Sequence, residues 1–161
     1  MSPAWQDTVT ADQAQALEEL VERRSTRVPL QHLTGRAYFR HLVLEVVPGV
    51  FVPRPETEVV VEAVLDEVRD LTARGVRRPL VVDLCTGSGA IAGSVAVETP
   101  GAAVAAVELS PEAFVWAERN LAPFEVDLRL GDAAAAFPDL DGSVDVVVSN
   151  PPYIPPGAVI R

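Results

Sequence analysis

The segment Asn150, Pro151, Pro152 and Tyr153 holds the residue types that most directly suggest chemistry. Two consecutive prolines fix the backbone and carry no N–H, so the carbonyls around them can face a ligand without a competing local donor. Asn150 adds an amide oxygen as acceptor, and Tyr153 adds a flat apolar wall. These groups suit a planar NH₂, both of whose hydrogens can be accepted while the nitrogen attacks. The alternative is a proline-rich turn after an edge strand.

A glycine-containing loop supplies a second candidate site, made of Cys85, Thr86, Gly87, Ser88 and Gly89. Glycines at such a turn let the backbone approach a ligand closely, with the N–H groups of the following helix pointing at it. The loop lacks the G-K-[ST] of a nucleotide triphosphate loop, and Cys85 stands where G-x-G-x-x-G has its first glycine. The pattern predicts ligand binding, and a tight structural turn is the alternative.

Two acidic residues lie at the ends of later predicted strands. Glu108 lies 21 positions after Gly87, where a carboxylate can accept both hydroxyls of a ribose. A solvated glutamate at a strand end is the alternative. Asp132 follows Gly131 and could accept from an adenine amino group, although a plain turn explains it equally well. The glycine loop and Glu108 together predict an adenosine-type cofactor.

A helix-capping pattern and alternating apolar residues predict the secondary structure that precedes this region. Thr10 and Gln13 form a T-x-x-Q capping box that predicts a helix over residues 11–26. Alternating apolar residues predict a strand over 40–47, a turn at Pro48 and Gly49, and a second short strand over 50–52. The sequence therefore predicts a β-hairpin, and residues 53–58 form a loop stiffened by two prolines.

From residue 59 onwards the pattern alternates between helices and apolar strands. Strands are predicted over 80–84, 102–109, 126–130 and 144–149. Helices are predicted from residue 60 to Gly75, over 90–98 and over 111–121, the last with Ser110 as N-cap. Continuous apolar strands alternating with helices indicate an α/β fold with a doubly wound parallel sheet.

Composition excludes several classes of function. The chain has 161 residues, 13 arginines, no lysine and 23 acidic residues, for a net charge of −10. Phosphate backbones are bound by clustered basic residues, so a nucleic-acid partner is disfavoured. One cysteine and no Cys/His cluster leave no basis for a metal site. No apolar run reaches the roughly 18 residues of a membrane span, and no signal peptide is visible, so we expect a cytoplasmic protein without membrane contact.

At the motifs quoted above, the chain resembles class I S-adenosylmethionine-dependent methyltransferases that carry Asn-Pro-Pro-Tyr. That motif is shared by enzymes that methylate nucleobase amino groups and protein glutamine. Residues 31–36, Phe39 and residues 50–58 are similar to the hallmark of the protein-(glutamine) methyltransferases of peptide chain release factors. The resemblance extends from about residue 15 to residue 156.

The resemblance implies an activity and a set of roles. Methyl transfer from S-adenosylmethionine would go to the side-chain amide of the glutamine in the Gly-Gly-Gln motif of release factors. The glycine loop would line the methionine end of the cofactor, Glu108 would bind the ribose, and Asp132 with Ala133 the adenine. Asn150 and the Pro151 carbonyl would hold the glutamine amide, beside Pro152 and Tyr153. Arg54 and Thr57 would border the cofactor pocket. Relatives often have glycine at Cys85, and some have an aromatic ring at Ala133.

The resemblance also implies an organisation. Residues 1–35 would be a remnant of a helical, substrate-recognising domain, residues 36–58 a hairpin and linker, and residues 59–161 the first part of the cofactor-binding domain. We expect an incomplete sheet with its strands in the order 3-2-1-4, in a chain truncated at both ends and monomeric when full length. Two alternatives remain open, a nucleobase-amino methyltransferase and a non-catalytic cofactor-binding fragment.

Overall fold

The computed structural model describes residues 9–153, which begin with a surface helix. Helix α1 spans Ala11–Ser25 and has the predicted capping box. The Thr10 hydroxyl accepts from the Gln13 N–H at 3.2 Å, and the Gln13 side chain accepts from the Thr10 N–H at 2.9 Å. A second, short helix, α2, spans Leu30–Thr34 and was not predicted. It ends at Gly35, whose φ of 73° is readily adopted only by glycine.

The β-hairpin lies earlier in the chain than predicted. Strand β1 (Arg36–Phe39) pairs antiparallel with β2 (Leu42–Glu45), so the turn falls at Arg40 instead of Pro48. The predicted strand over residues 50–52 is wrong, because Pro48 has no N–H with which to pair and the Val50 N–H closes a turn onto the Val47 carbonyl at 3.0 Å. The expectation of one strand over residues 40–47 is therefore corrected as well.

The second half of the chain forms the predicted parallel sheet. The helices and strands are α3 Glu58–Ala73, β3 Leu80–Leu84, α4 Ala90–Glu98, β4 Ala103–Glu108, α5 Pro111–Leu121, β5 Val126–Leu130 and β6 Val146–Ser149. The strands lie in the order β5-β4-β3-β6, which is the expected 3-2-1-4 arrangement. All three strand pairs are parallel, so their carboxyl ends share one edge.

The core lies between the sheet, the helices and the hairpin. Val81 on the central strand β3 and Val61 on α3 are fully buried, as is Val95 on α4. Phe39 and Leu44 bring the buried face of the hairpin into the same cluster. Because the hairpin packs against the sheet domain through this cluster, the loop that follows it is held at a fixed place beside the sheet.

Arg40 anchors the hairpin turn by charge. Its backbone adopts a left-handed φ of 47°, and its guanidinium donates to both oxygens of Glu98 on α4 at 2.6 Å. It also donates to Glu62 on α3 at 3.1 Å. Paired donors on a carboxylate give a directional and strong contact. This contact ties the hairpin to the helices on either side of the glycine loop.

Residues 9–153 contain neither a candidate membrane span nor a candidate metal site. Within residues 9–153, no helix combines the length and apolar character that crossing a bilayer requires. The same part of the chain contains no group of three or more side chains able to hold a metal ion.

Candidate active site at the carboxyl edge of the sheet

A cavity of about 530 Å³ opens at the carboxyl ends of β3, β4 and β6. This volume lies within the range of small-molecule sites, and this edge is where ligands bind in open α/β sheets. Its walls come from the glycine loop, the end of β4, the loop after β6 and the segment after the hairpin. The residues sharing it are Phe51, Pro53, Thr57, Cys85, Thr86, Gly87, Ser88, Ile91, Glu108, Ser110, Asn150, Pro151, Pro152 and Tyr153, among others.

The glycine loop turns through three left-handed residues. Gly87 and Gly89 have φ of 61° and 82°, and Cys85 adopts 63° without being glycine. A Cβ built on Gly87 meets no atom within 4 Å, so the backbone there faces open space that a ligand can enter. A Cβ on Gly89 would lie 2.9 Å from Leu121 Cγ, so this glycine lets α5 pack close to the loop.

Glu108 is held by the loops on both sides of it. One carboxylate oxygen accepts the Gly87 N–H at 2.8 Å, and the other accepts the Ser110 N–H at 2.9 Å. A carboxylate offers about four acceptor positions, so two remain available to a ligand. The side chain is therefore oriented in advance at the cavity wall.

Asp83, beneath the glycine loop, was not singled out from the sequence. It is 1 % exposed, and its Oδ2 accepts from the Thr86 hydroxyl at 2.6 Å and the Ala92 N–H at 3.2 Å. Its Oδ1 is buried without a partner. Burial raises the pKa of Asp83 to about 7, although both hydrogen bonds oppose this and the Glu108 charge adds to it. The sequence feature that could have identified Asp83 is an acidic residue inside an otherwise apolar predicted strand.

The carboxamide of Asn150 is held from two sides. Its Nδ2 donates to the Thr57 hydroxyl at 3.0 Å, and its Oδ1 accepts from the Tyr153 hydroxyl at 3.0 Å. Thr57 is 8 % exposed, whereas Tyr153 is 86 % exposed. The first contact joins residues 93 positions apart, and nothing in the sequence indicated it.

Some predicted site residues do not line the cavity. Asp132 caps a turn by accepting the Ala134 N–H at 2.9 Å, and neither it nor Ala133 contributes to the cavity wall. Arg54 instead lies over the ring of Phe51, 5.9 Å from its centre. Gly89 faces α5. The roles expected for these residues remain predictions.

Cys85 lines the cavity among carboxylates. Burial raises the pKa of its thiol, and the negative charge of Glu108 raises it further. The cysteine is therefore a neutral thiol near neutral pH. Its surroundings favour positive charge in a ligand over negative charge.

A parallel sheet with a glycine loop after β3 and a glutamate ending β4 is the fold of the class I S-adenosylmethionine-dependent methyltransferases. A human protein titled "methyltransferase 10 domain containing protein" has a similar structure, with a TM-score of 0.52 and 14% identity over 86% of this chain and 64% of that one. The chain belongs to the methyltransferase small domain family, and the match to this family covers residues 56–159. Residues 4–35 match a second family, the PrmC N-terminal domain.

The chain is also similar to individual curated methyltransferases. A release factor glutamine methyltransferase of Streptomyces coelicolor is 64% identical over 85% of this chain, and one of Bifidobacterium longum is 48% identical over 91%. A Streptomyces pristinaespiralis protein named as a 4-amino-L-phenylalanine/4-methylamino-L-phenylalanine methyltransferase is 46% identical over 85%. The chain spans about half the length of these relatives, 48%, 52% and 47% respectively.

Proposed function

We propose that the protein transfers a methyl group from S-adenosylmethionine to the side-chain amide nitrogen of the glutamine in the Gly-Gly-Gln motif of peptide chain release factors. One observation carries the proposal. The Asn150 carboxamide shares a cavity with the glycine loop and Glu108, so an acceptor for N–H groups lies beside a candidate adenosine site. The names of the similar proteins support the choice of substrate.

The cavity fits the proposed cofactor. Open space beside Gly87 lets a ligand lie against the backbone, and Glu108 keeps unused acceptor positions for ribose hydroxyls. The unpartnered, buried Oδ1 of Asp83 adds a polar atom under the same loop. We assign the methionine end to the glycine loop and the ribose to Glu108, and we retain Asp132 and Ala133 for the adenine. Arg54 and Thr57 would border this site.

The residues of the β6 loop would then orient the acceptor nitrogen. Bound S-adenosylmethionine supplies a sulfonium methyl, an electrophile that needs little further activation. Asn150 and the Pro151 carbonyl would accept the two N–H bonds of the glutamine amide, and Tyr153 would pack against its plane. These contacts align the nitrogen and favour the positive character it gains as the bond forms. No general base is required before the attack, and the proton leaves to solvent.

The net charge of the chain favours a protein substrate over a nucleic acid. A net charge of −10 opposes binding to a phosphate backbone, which disfavours a nucleobase acceptor. An enzyme acting on release factors works where translation occurs, so we propose a cytoplasmic protein. We also propose that it is monomeric when full length. Residues 1–35 would belong to the substrate-recognising part, residues 36–58 to a hairpin and linker, and residues 59–161 to the cofactor-binding part.

Methyl transfer from labelled S-adenosylmethionine tests the proposal. The 161-residue chain is incubated with a release factor carrying Gly-Gly-Gln and with a matched substrate carrying Gly-Gly-Ala. Label on the first substrate alone, placed on the glutamine by peptide mass spectrometry, supports the assignment. Label on ribosomal RNA, DNA or 4-aminophenylalanine instead would change the acceptor. Cofactor binding by calorimetry without transfer to any of them would leave a binding module.

A further inference from the structure

We propose that Thr57 is the positioning residue that sets which end of the Asn150 carboxamide faces the acceptor nitrogen. The inference rests on the proposed function, because it concerns how Asn150 is presented to an N–H donor. Thr57 lies before α3, and Asn150 follows β6, so the two parts of the cavity wall meet at this contact. The role differs from the cofactor contact expected of Thr57, since here it acts through Asn150.

The orientation of a carboxamide decides whether it accepts or donates. An asparagine presents an oxygen at one end and an NH₂ at the other, and the two are similar in shape. If Nδ2 faced the substrate, its hydrogens would oppose the hydrogens of the incoming amide. In the structure Nδ2 donates to the Thr57 hydroxyl at 3.0 Å, which leaves Oδ1 as the end available to a donor.

The two partners of Asn150 differ in how firmly they are held. Thr57 is buried, and its N–H bonds to the Arg54 carbonyl at 2.9 Å in the turn that leads into α3. The next residue, Glu58, accepts from the backbone N–H of Arg40 at 3.3 Å, so the ion-paired hairpin turn braces the same segment. The Tyr153 side chain is exposed. The fixed contact is therefore the one to Thr57, and the Tyr153 contact is the one a substrate can replace.

Asparagine side-chain NMR tests the orientation without activity. Asn120 and Asn150 are the only asparagines in the sequence, so ¹⁵N-asparagine labelling gives two side-chain NH₂ groups. Asn120, whose Nδ2 donates to the carbonyls of Glu45 and Ser88, is the internal reference. We expect one Asn150 Nδ2 proton to exchange slowly in the wild type. It should exchange faster in Thr57→Val and Thr57→Ala, and slowly again in Thr57→Ser.

Unchanged exchange of the Asn150 protons in Thr57→Val would overturn the assignment, because the hydroxyl would then not be their acceptor. The assignment would also be overturned if the Asn150 side-chain protons of the wild type exchanged as fast as those of an exposed amide. Thr72→Val is the matched control, since Thr72 lies on α3 and donates to the Val68 carbonyl far from the motif. Its Asn150 signals should match those of the wild type.

Single-turnover methyl transfer measures the consequence. Thr57→Val should lower the rate at saturating substrate and cofactor by about tenfold or more, with Thr57→Ser restoring it and Thr72→Val leaving it unchanged. An effect on the KM for the cofactor alone would make Thr57 a cofactor contact and overturn the proposal. If the wild type transfers no methyl group, the proposed function fails, while the exchange experiment still decides the orientation of Asn150.

Discussion

The Glu108 carboxylate at the end of β4 accepts the backbone N–H of Gly87 in the glycine loop at 2.8 Å. The contact spans 21 positions and joins the two segments that the sequence pattern assigned to one cofactor. One carboxylate thus both fixes the loop and presents acceptors to the cavity. Loss of this side chain would therefore act on loop order and on ligand contact together.

Replacement of Glu108 by alanine should weaken binding of S-adenosylmethionine. The expected loss is about 1.5–3 kcal/mol, the range for hydrogen bonds to a charged group. Isothermal titration calorimetry on the chain measures it, with circular dichroism confirming the fold. Glu118→Ala is the matched control, because Glu118 lies exposed on α5. Equal affinity for wild type and Glu108→Ala would remove Glu108 from the site.

Under the proposed function, replacement of Asn150 by alanine should slow methyl transfer much more than it weakens cofactor binding. The Oδ1 interaction gains most when the nitrogen acquires positive character, so the loss falls on the chemical step. Removal of one preorganised partner typically costs on the order of a hundredfold or more. Single-turnover rates with both ligands saturating provide the measurement. A mutant rate within about threefold of wild type would reduce Asn150 to a turn residue.

Asp83 should make the protein less stable as pH rises through neutrality. Its folded-state pKa of about 7 lies above its ordinary value of 3.8, so the folded state binds the proton more tightly. The stabilisation is therefore complete below pH 3.8 and lost as pH rises through 7. At about 1.36 kcal/mol per pKa unit, the total is roughly 4 kcal/mol.

Asp83→Asn isolates this contribution, since the amide does not titrate. Denaturant unfolding of wild type and variant between pH 4 and pH 8 gives the difference in free energy of unfolding. The wild type should lose stability relative to the variant across this range. Parallel pH profiles for the two proteins would show that Asp83 titrates normally.

Cys85 should react slowly with iodoacetamide at neutral pH. The thiolate is the nucleophile, and the raised pKa of this thiol lowers the thiolate fraction. As the only cysteine in the sequence, it gives a single product by mass spectrometry. Because it lines the cavity, S-adenosylhomocysteine should slow alkylation further, whereas guanosine triphosphate should not.

The unfolded chain in urea provides the reference rate for this cysteine. Faster alkylation of the folded protein than of the unfolded one would contradict the raised pKa. Alkylation unaffected by saturating S-adenosylhomocysteine would mean that the cofactor does not cover Cys85.

The parallel sheet was predictable because each strand is a short apolar run closed by a turn signal or polar residue. The limits of α4, α5 and β5 agree with the predicted ranges, and the other sheet strands differ by at most two residues. The hairpin was not predictable, because its turn at Arg40 and His41 contains no glycine, proline, asparagine or aspartate, whereas Pro48 and Gly49 form a strong turn signal. The left-handed backbone at Arg40 depends on its contacts with α3 and α4, which are distant in sequence.

Part of the candidate site was likewise predictable from the sequence, and part was not. The glycine loop, Glu108 and Asn150 lie at strand ends, and the carboxyl ends of the strands of a parallel sheet meet at one edge. The contact between Thr57 and Asn150 depends on how the hairpin packs against the sheet, which no local pattern encodes. The buried Asp83 with its free Oδ1 likewise becomes apparent only once the strand is placed at the centre of the sheet.

The hydrogen bond from Tyr153 to Asn150 has a consequence for affinity. A substrate amide that displaces the Tyr153 hydroxyl exchanges one donor on Oδ1 for another, so the number of hydrogen bonds on that oxygen does not change. Such an exchange adds little net binding free energy, although it still selects for an N–H in the right place. Under the proposed function and with this exchange, the affinity for a release factor would come from surfaces away from the glutamine, and the motif would chiefly select an amide in the correct orientation.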